Sequence, residues 1–376
     1  MNIRPPETRL FADPTKRKRY LFALTMILLM VAVAELSGEK EIIFPEMAAL
    51  TIGMWIVDKQ VWRVSRARMV ALMTAGAVAG VCIVRYSPLP LIADIAVSFA
   101  FTAVCLMLFR ASLPPLISAG MLPILLGTDS WIYPAAVLTM TLTVAAGQRL
   151  MERGRLRTAA DFTPAATEWK KETLRWLFLL STILVVAAVP VYTSNLYFIL
   201  PPLIVTYVEF AGSKAGFRNR PVQIFLLLTA AAFLGTLFQW AGHVRMQWPE
   251  WAVALAVFTS LFLLFERIGK FFAPAGAVAL IPMIVPQEDL PLLPFEIAAG
   301  AALFIAAAML LFQQCYRWQR AQLIVCLVPV PLRKHLNRDG RRMRKAVRKF
   351  WISVIRDCNM SSICPFNCFA LIGLGM

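Results

Sequence analysis

Four carboxylic acids lie close to long apolar runs: Glu46, Asp94, Glu209 and Glu296. An acid held in low dielectric can carry a proton, so these four are the candidates for proton coupling. None has an acidic counterpart in the other half of the chain, and all lie within about two turns of an expected helix end, so interfacial acids that reach water are the competing reading. Thr51, Ser118, Thr206 and Tyr207 bring hydroxyls to short apolar segments, where they can meet a small polar solute or bond neighbouring backbone carbonyls. Prolines mark the starts of the same segments: Pro45, Pro114-Pro115, Pro201-Pro202 and Pro274. Proline suits a helix's first position because its missing N–H would be unpaired there anyway. The remaining free N–H groups and the positive end of the helix dipole would attract an anion. Lys59, Arg63, Lys214 and Arg218 stand in two equivalent loops and read either as an electropositive vestibule or as ordinary topology markers.

The elements that must position these groups are membrane helices. Of the 376 residues, 59% are hydrophobic and 16% charged, and mean hydropathy is +0.68. Soluble domains hold about 45–50% apolar and about 25% charged residues, which excludes one here. Twelve apolar segments can be read, near 20–36, 42–57, 69–85, 91–109, 113–127 and 131–148, then 174–192, 196–210, 221–241, 249–265, 273–286 and 292–314. The expected fold is therefore an all-α polytopic membrane protein. Segments of about 15 residues reach only about 22 Å, less than the roughly 30 Å hydrocarbon core. Short, Pro-interrupted segments at matching places in two halves point to a transport site, which selects Thr51, Pro115, Ser118, Thr206 and Pro274 as solute-binding candidates.

The halves are related. A shift of 156 aligns Leu21, Phe22, Leu24, Ile43 and Pro45 with Leu177, Phe178, Leu180, Ile199 and Pro201. A shift of 155 pairs Lys59, Arg63, Thr74 and Gly80 with Lys214, Arg218, Thr229 and Gly235. Further on, Phe101, Thr102 and Arg110 meet Phe258, Thr259 and Arg267, and Pro115 and Pro123 meet Pro274 and Pro282. The expected organisation is an N-terminal segment 1–19, a six-helix repeat 20–148, a linker 149–173, a second repeat 174–314 and a basic tail 315–376. Six crossings per repeat give both repeats the same orientation, related by an axis along the membrane normal.

The net charge of +17 follows this plan. If all twelve segments cross, 35 of the 38 Lys and Arg residues fall on one side, which predicts cytoplasmic N- and C-termini in a bacterial inner membrane. The basic residues punctuate apolar runs, so nucleic acid is not an expected partner. The run Arg333–Lys349 ahead of Phe350-Trp351 reads as a segment drawn to anionic lipid, and could alternatively anchor protein partners. Seven cysteines, an odd number with no CxxC pair, argue against a disulfide framework or a zinc site. No P-loop, HExxH, GxSxG or dinucleotide-binding motif occurs, so neither an enzyme nor a cofactor is expected. Oligomeric state is left open.

Three stretches resemble the HPP family of integral membrane proteins: Leu200–Phe210, Arg218-Asn219-Arg220-Pro221 with the run to Gly235, and Phe272–Leu280. Ser112–Ala119 holds the corresponding place in the first half. The signature histidine of that family is replaced by Leu113 and Ala273, so any role of that histidine does not carry over. The resemblance implies a permease for a small inorganic anion, nitrite being the solute suggested for plastid members. A looser likeness to aromatic-acid exporters implies small organic acids instead.

Overall fold

A computed structural model describes residues 13–58, 61–158, 169–212 and 221–316. These fall in the first of two compact units, Met1–Trp318; the second, Gln319–Met376, lies outside the described residues, as does the expectation about the basic tail. Among the described residues the fold is helical throughout, with no strand.

Twelve α-helices match the twelve apolar segments. In chain order they are α1 (Pro14–Ser37), α2 (Pro45–Thr51, continued by a π turn Ile52–Ile56), α3 (Arg66–Tyr86), α4 (Leu91–Leu108), α5 (Pro115–Leu126) and α6 (Ile132–Arg153). The series continues with α7 (Trp169–Tyr192), α8 (Pro201–Gly212), α9 (Pro221–Phe238, continued by a π turn Gln239–Arg245), α10 (Glu250–Ile268), α11 (Ala273–Ile284) and α12 (Leu293–Tyr316). Several helices outrun their apolar windows. The Asp13 side chain accepts from the Thr15 N–H at 2.9 Å and Pro14 takes the first position, so α1 begins in the basic stretch before residue 20. The linker shrinks as well: α6 runs on to Arg153 and α7 starts at Trp169.

Seven helices are long and apolar enough to cross a bilayer: α1, α3, α4, α7, α9 with its π turn, α10 and α12. Their outward faces are apolar, and Val185 on α7 is 75% exposed. A soluble protein does not present such faces to water, so these seven helices make the chain a multi-pass membrane protein. The helices α2, α5, α8 and α11 are shorter, and in α2, α5 and α11 nearly every residue is buried. They form the interior, with the long helices around them.

The contacts fall into matched sets. Helix α3 packs on α4, α5 and α6, and α9 packs on α10, α11 and α12. Other contacts cross between halves: α1 lies on α10 and α7 on α4, while α2 meets α11 and α5 meets α8. Aromatic residues mark the first exchange, with Tyr20 edge-on to Phe262 at 5.0 Å and Trp176 tilted on Phe99 at 5.7 Å. The Tyr20 hydroxyl also donates to Glu266 Oε1 at 2.6 Å, and Lys16 Nζ approaches the same oxygen at 2.5 Å.

Glycine sets the approach of α3 to α5 and of α9 to α11. A Cβ on Gly80 would collide with the Gly120 carbonyl and crowd the Pro123 ring. One on Gly235 would stand 2.5 Å from the Ala279 carbonyl oxygen and 3.1 Å from Pro282 Cγ. Backbone cannot retreat as a flexible side chain does. Gly235→Val should therefore lower stability by about 1–3 kcal/mol. Thermal unfolding in detergent checks this against Val185→Ala on the exposed face, which should leave the midpoint unchanged.

Candidate functional site

Loops from both halves converge on a cavity of about 510 Å³ at one end of the bundle. The first half contributes Lys40, Glu41 and Ile43 around the α1–α2 turn, residues from Leu122 to Thr128 at the end of α5, and Tyr133. The second half contributes Ser194 to Tyr197 before α8, Ile284 and Pro286 after α11, and Glu288, Asp289, Leu292 and Glu296 around the start of α12. Turns from both halves thus line one cavity. The lining holds four carboxylates and one lysine, and Tyr197 donates its hydroxyl to Asp289 Oδ2 at 2.6 Å.

Tyr133 belongs both to this cavity and to the interior. Its ring stands edge-on to Phe44 at 6.0 Å, its hydroxyl donates to the Ala119 carbonyl at 3.0 Å, and it lies within electrostatic reach of Glu46. Glu46 sits in the first turn of α2 and is 1% exposed. Ser118 on α5 donates its hydroxyl to Glu46 Oε1, whereas Oε2 has no partner among the described residues. The structure therefore joins two of the sequence candidates, Glu46 and Ser118, one turn beyond Ile43 of the cavity wall. This pair departs from the anion expectation for helix starts, because the first turn of α2 carries its own carboxyl group.

The other candidates are dispersed. Thr51 donates to the carbonyls of Met47 and Ala48, and Thr206 donates to that of Pro202 at 2.8 Å, so both hydroxyl protons stay on their own helices. Pro115 and Pro274 are buried in the first turns of α5 and α11. Asp94 accepts from Ser87 at 2.5 Å near the start of α4. Glu209 accepts from Trp62 Nε1 at 2.9 Å, and the Trp62 ring lies against Gly53, which ties the end of α8 to the π turn after α2. Glu296 lines the cavity. Arg63 is exposed on the loop before α3, and Lys59, Lys214 and Arg218 lie outside the described residues.

Sequence reasoning passed over Glu41, Tyr133, Tyr197, Glu288 and Asp289. One signal was within reach: Glu41 and Tyr197 occupy equivalent positions under the shift of 156 that aligns the first helices.

The class defined here is a helical multi-pass membrane protein with a polar cavity at one end and, behind the cavity's Tyr133, a buried carboxyl group. Compared with protein-family models, curated proteins and solved structures, the chain gives no match.

Ser118 supplies the one side-chain hydrogen bond that Glu46 makes among the described residues. Ser118→Ala should cost about 1–3 kcal/mol, the usual penalty for stranding a buried polar group. Glu46→Gln should cost less, since an amide oxygen still accepts from the hydroxyl. Denaturant unfolding of the two variants in detergent gives the comparison.

Proposed function

We propose that this chain is a permease for a small polar solute, built from two six-helix repeats in parallel orientation that work by alternating access. The observation that carries the reading is the cavity whose wall is drawn from turns of both halves and includes Tyr133, which lies within electrostatic reach of the buried Glu46. Matched contacts within each half, and the reciprocal crossing of α1 with α10 and α7 with α4, support the repeat. A site between repeats is where such duplicated folds hold their solutes. The cavity mouth faces outward in this reading, as the charge bias of the loops requires.

The mouth also bears on solute charge. Glu41, Glu288, Asp289 and Glu296 against Lys40 favour a solute with positive charge at this end. That weighs against the inorganic anion implied by the family resemblance, which keeps its support in the basic loops at the other end. Glu46 would bind the solute or exchange a proton as the halves rock, and Ser118 would hold the carboxyl in place. The basic tail is accessory in this scheme.

Flux into proteoliposomes tests the reading, with ammonium, guanidinium and a small primary amine offered beside nitrite, nitrate and formate. Saturable uptake of a cation is expected, and Glu46→Gln should lower it at least about tenfold with folding intact. Deleting 319–376 should leave the rate unchanged. Saturable uptake of an anion alone would keep the permease and reverse its charge preference. Folded protein that moves none of these solutes would end the permease reading.

A further inference from the structure

The opposite end of the bundle holds a second polar assembly. Arg19, near the start of α1, is 5% exposed, and Arg157, just past α6, is 7% exposed. Arg157 is brought inward by a tight turn in which Gly154 N–H donates to the Leu150 carbonyl at 2.8 Å and Leu156 N–H to that of Met151 at 2.9 Å. Arg155 takes a left-handed φ of 55° in the middle of this turn. The two guanidinium groups lie within electrostatic range of one another, and burial, followed by the Arg19 charge, holds Arg157 below the usual arginine pKa.

The nearby carboxylates satisfy only part of this charge. Glu152 accepts from Gln148 Nε2 at 2.9 Å through one oxygen and from Arg66 through the other. Asp58 takes Arg19 Nη2 at 2.5 Å, but its side chain is 77% exposed. That leaves Arg19 Nε and Arg157 Nη1 buried without an acceptor among the described residues. Among the described residues, three guanidinium groups thus share two carboxylates, and two donors find no acceptor. Buried charges of like sign with free N–H groups call for an anion with several acceptor oxygens.

We propose that Arg19 and Arg157 form a binding site for a phosphate-class oxyanion between the start of α1 and the end of α6. The site is separate from the cavity: Arg19 and Lys40 stand at opposite ends of α1, roughly 30 Å apart along the helix axis. Free phosphate and the phosphodiester of an anionic lipid share the required chemistry. Both are available at a membrane face rich in Lys and Arg.

The test uses the full chain. Inorganic phosphate is titrated into detergent-solubilised protein while thermal unfolding is followed, and the same protein is melted in nanodiscs of phosphatidylglycerol or phosphatidylcholine. A saturable rise in midpoint with phosphate assigns a free oxyanion, and a rise confined to phosphatidylglycerol assigns a lipid headgroup. In either case Arg157→Gln should weaken the effect about tenfold or more, whereas the exposed Arg153→Gln should leave it intact. Arg157→Lys guards against a folding defect: it keeps the charge and should bind with intermediate strength. No stabilisation by either probe, or stabilisation equal in wild type and Arg157→Gln, overturns the proposal.

Discussion

A peptide group in hydrocarbon must find its hydrogen-bond partner inside the protein. This requirement governs the whole arrangement. A helix of twelve residues, such as α5 or α11, spans about 18 Å, less than the roughly 30 Å hydrocarbon core, so at least one of its ends stops inside the bilayer's thickness. Such an end is tolerable only if protein covers it. The long helices supply that cover, and proline at the first turn removes one of the groups that would need it. The buried starts of α2, α5 and α11 therefore account for both the long helices wrapped around them and the placement of the prolines.

Cover of this kind demands close approach, which explains the glycines. Gly80 and Gly235 sit against the carbonyls of Gly120 and Ala279, in front of Pro123 and Pro282. Gly276 on α11 lies across the halves against α2, where a Cβ would meet the end of the Ile52 side chain and reach contact with Ala48. Small residues thus set the distances inside each half and allow close contact between the two. With those distances fixed, the Ser118 hydroxyl reaches Glu46 and the turns before α2 and α8 meet around one cavity.

Much of this could be read in advance. The twelve segments were visible because lipid requires long apolar runs, and the matched Pro and Gly positions were visible because backbone geometry restricts what replaces them. Side-chain direction was not visible. Thr51 and Ser118 look alike in the sequence, yet one hydroxyl turns back on its own helix and the other reaches a different one. The cavity lining was hidden for another reason: its carboxylates are scattered from Glu41 to Glu296, and only the fold assembles them. Arg157 lay in a stretch read as a solvated linker, and a four-residue turn after α6 is what brings it inside.

The reciprocal packing of α1 on α10 has a consequence in time. Ser37 and Glu250 are about 210 residues apart in the chain, so a ribosome adding roughly 5–20 residues per second needs some 10–40 s to travel between them. Through that interval the aromatic and charged face of α1, with Tyr20 and Lys16, has been made and its partners Phe262 and Glu266 have not. Lipid or the insertion machinery must shelter that face while it waits. The first half is thus an incomplete object until the second arrives, and the two halves mature as one unit of biogenesis.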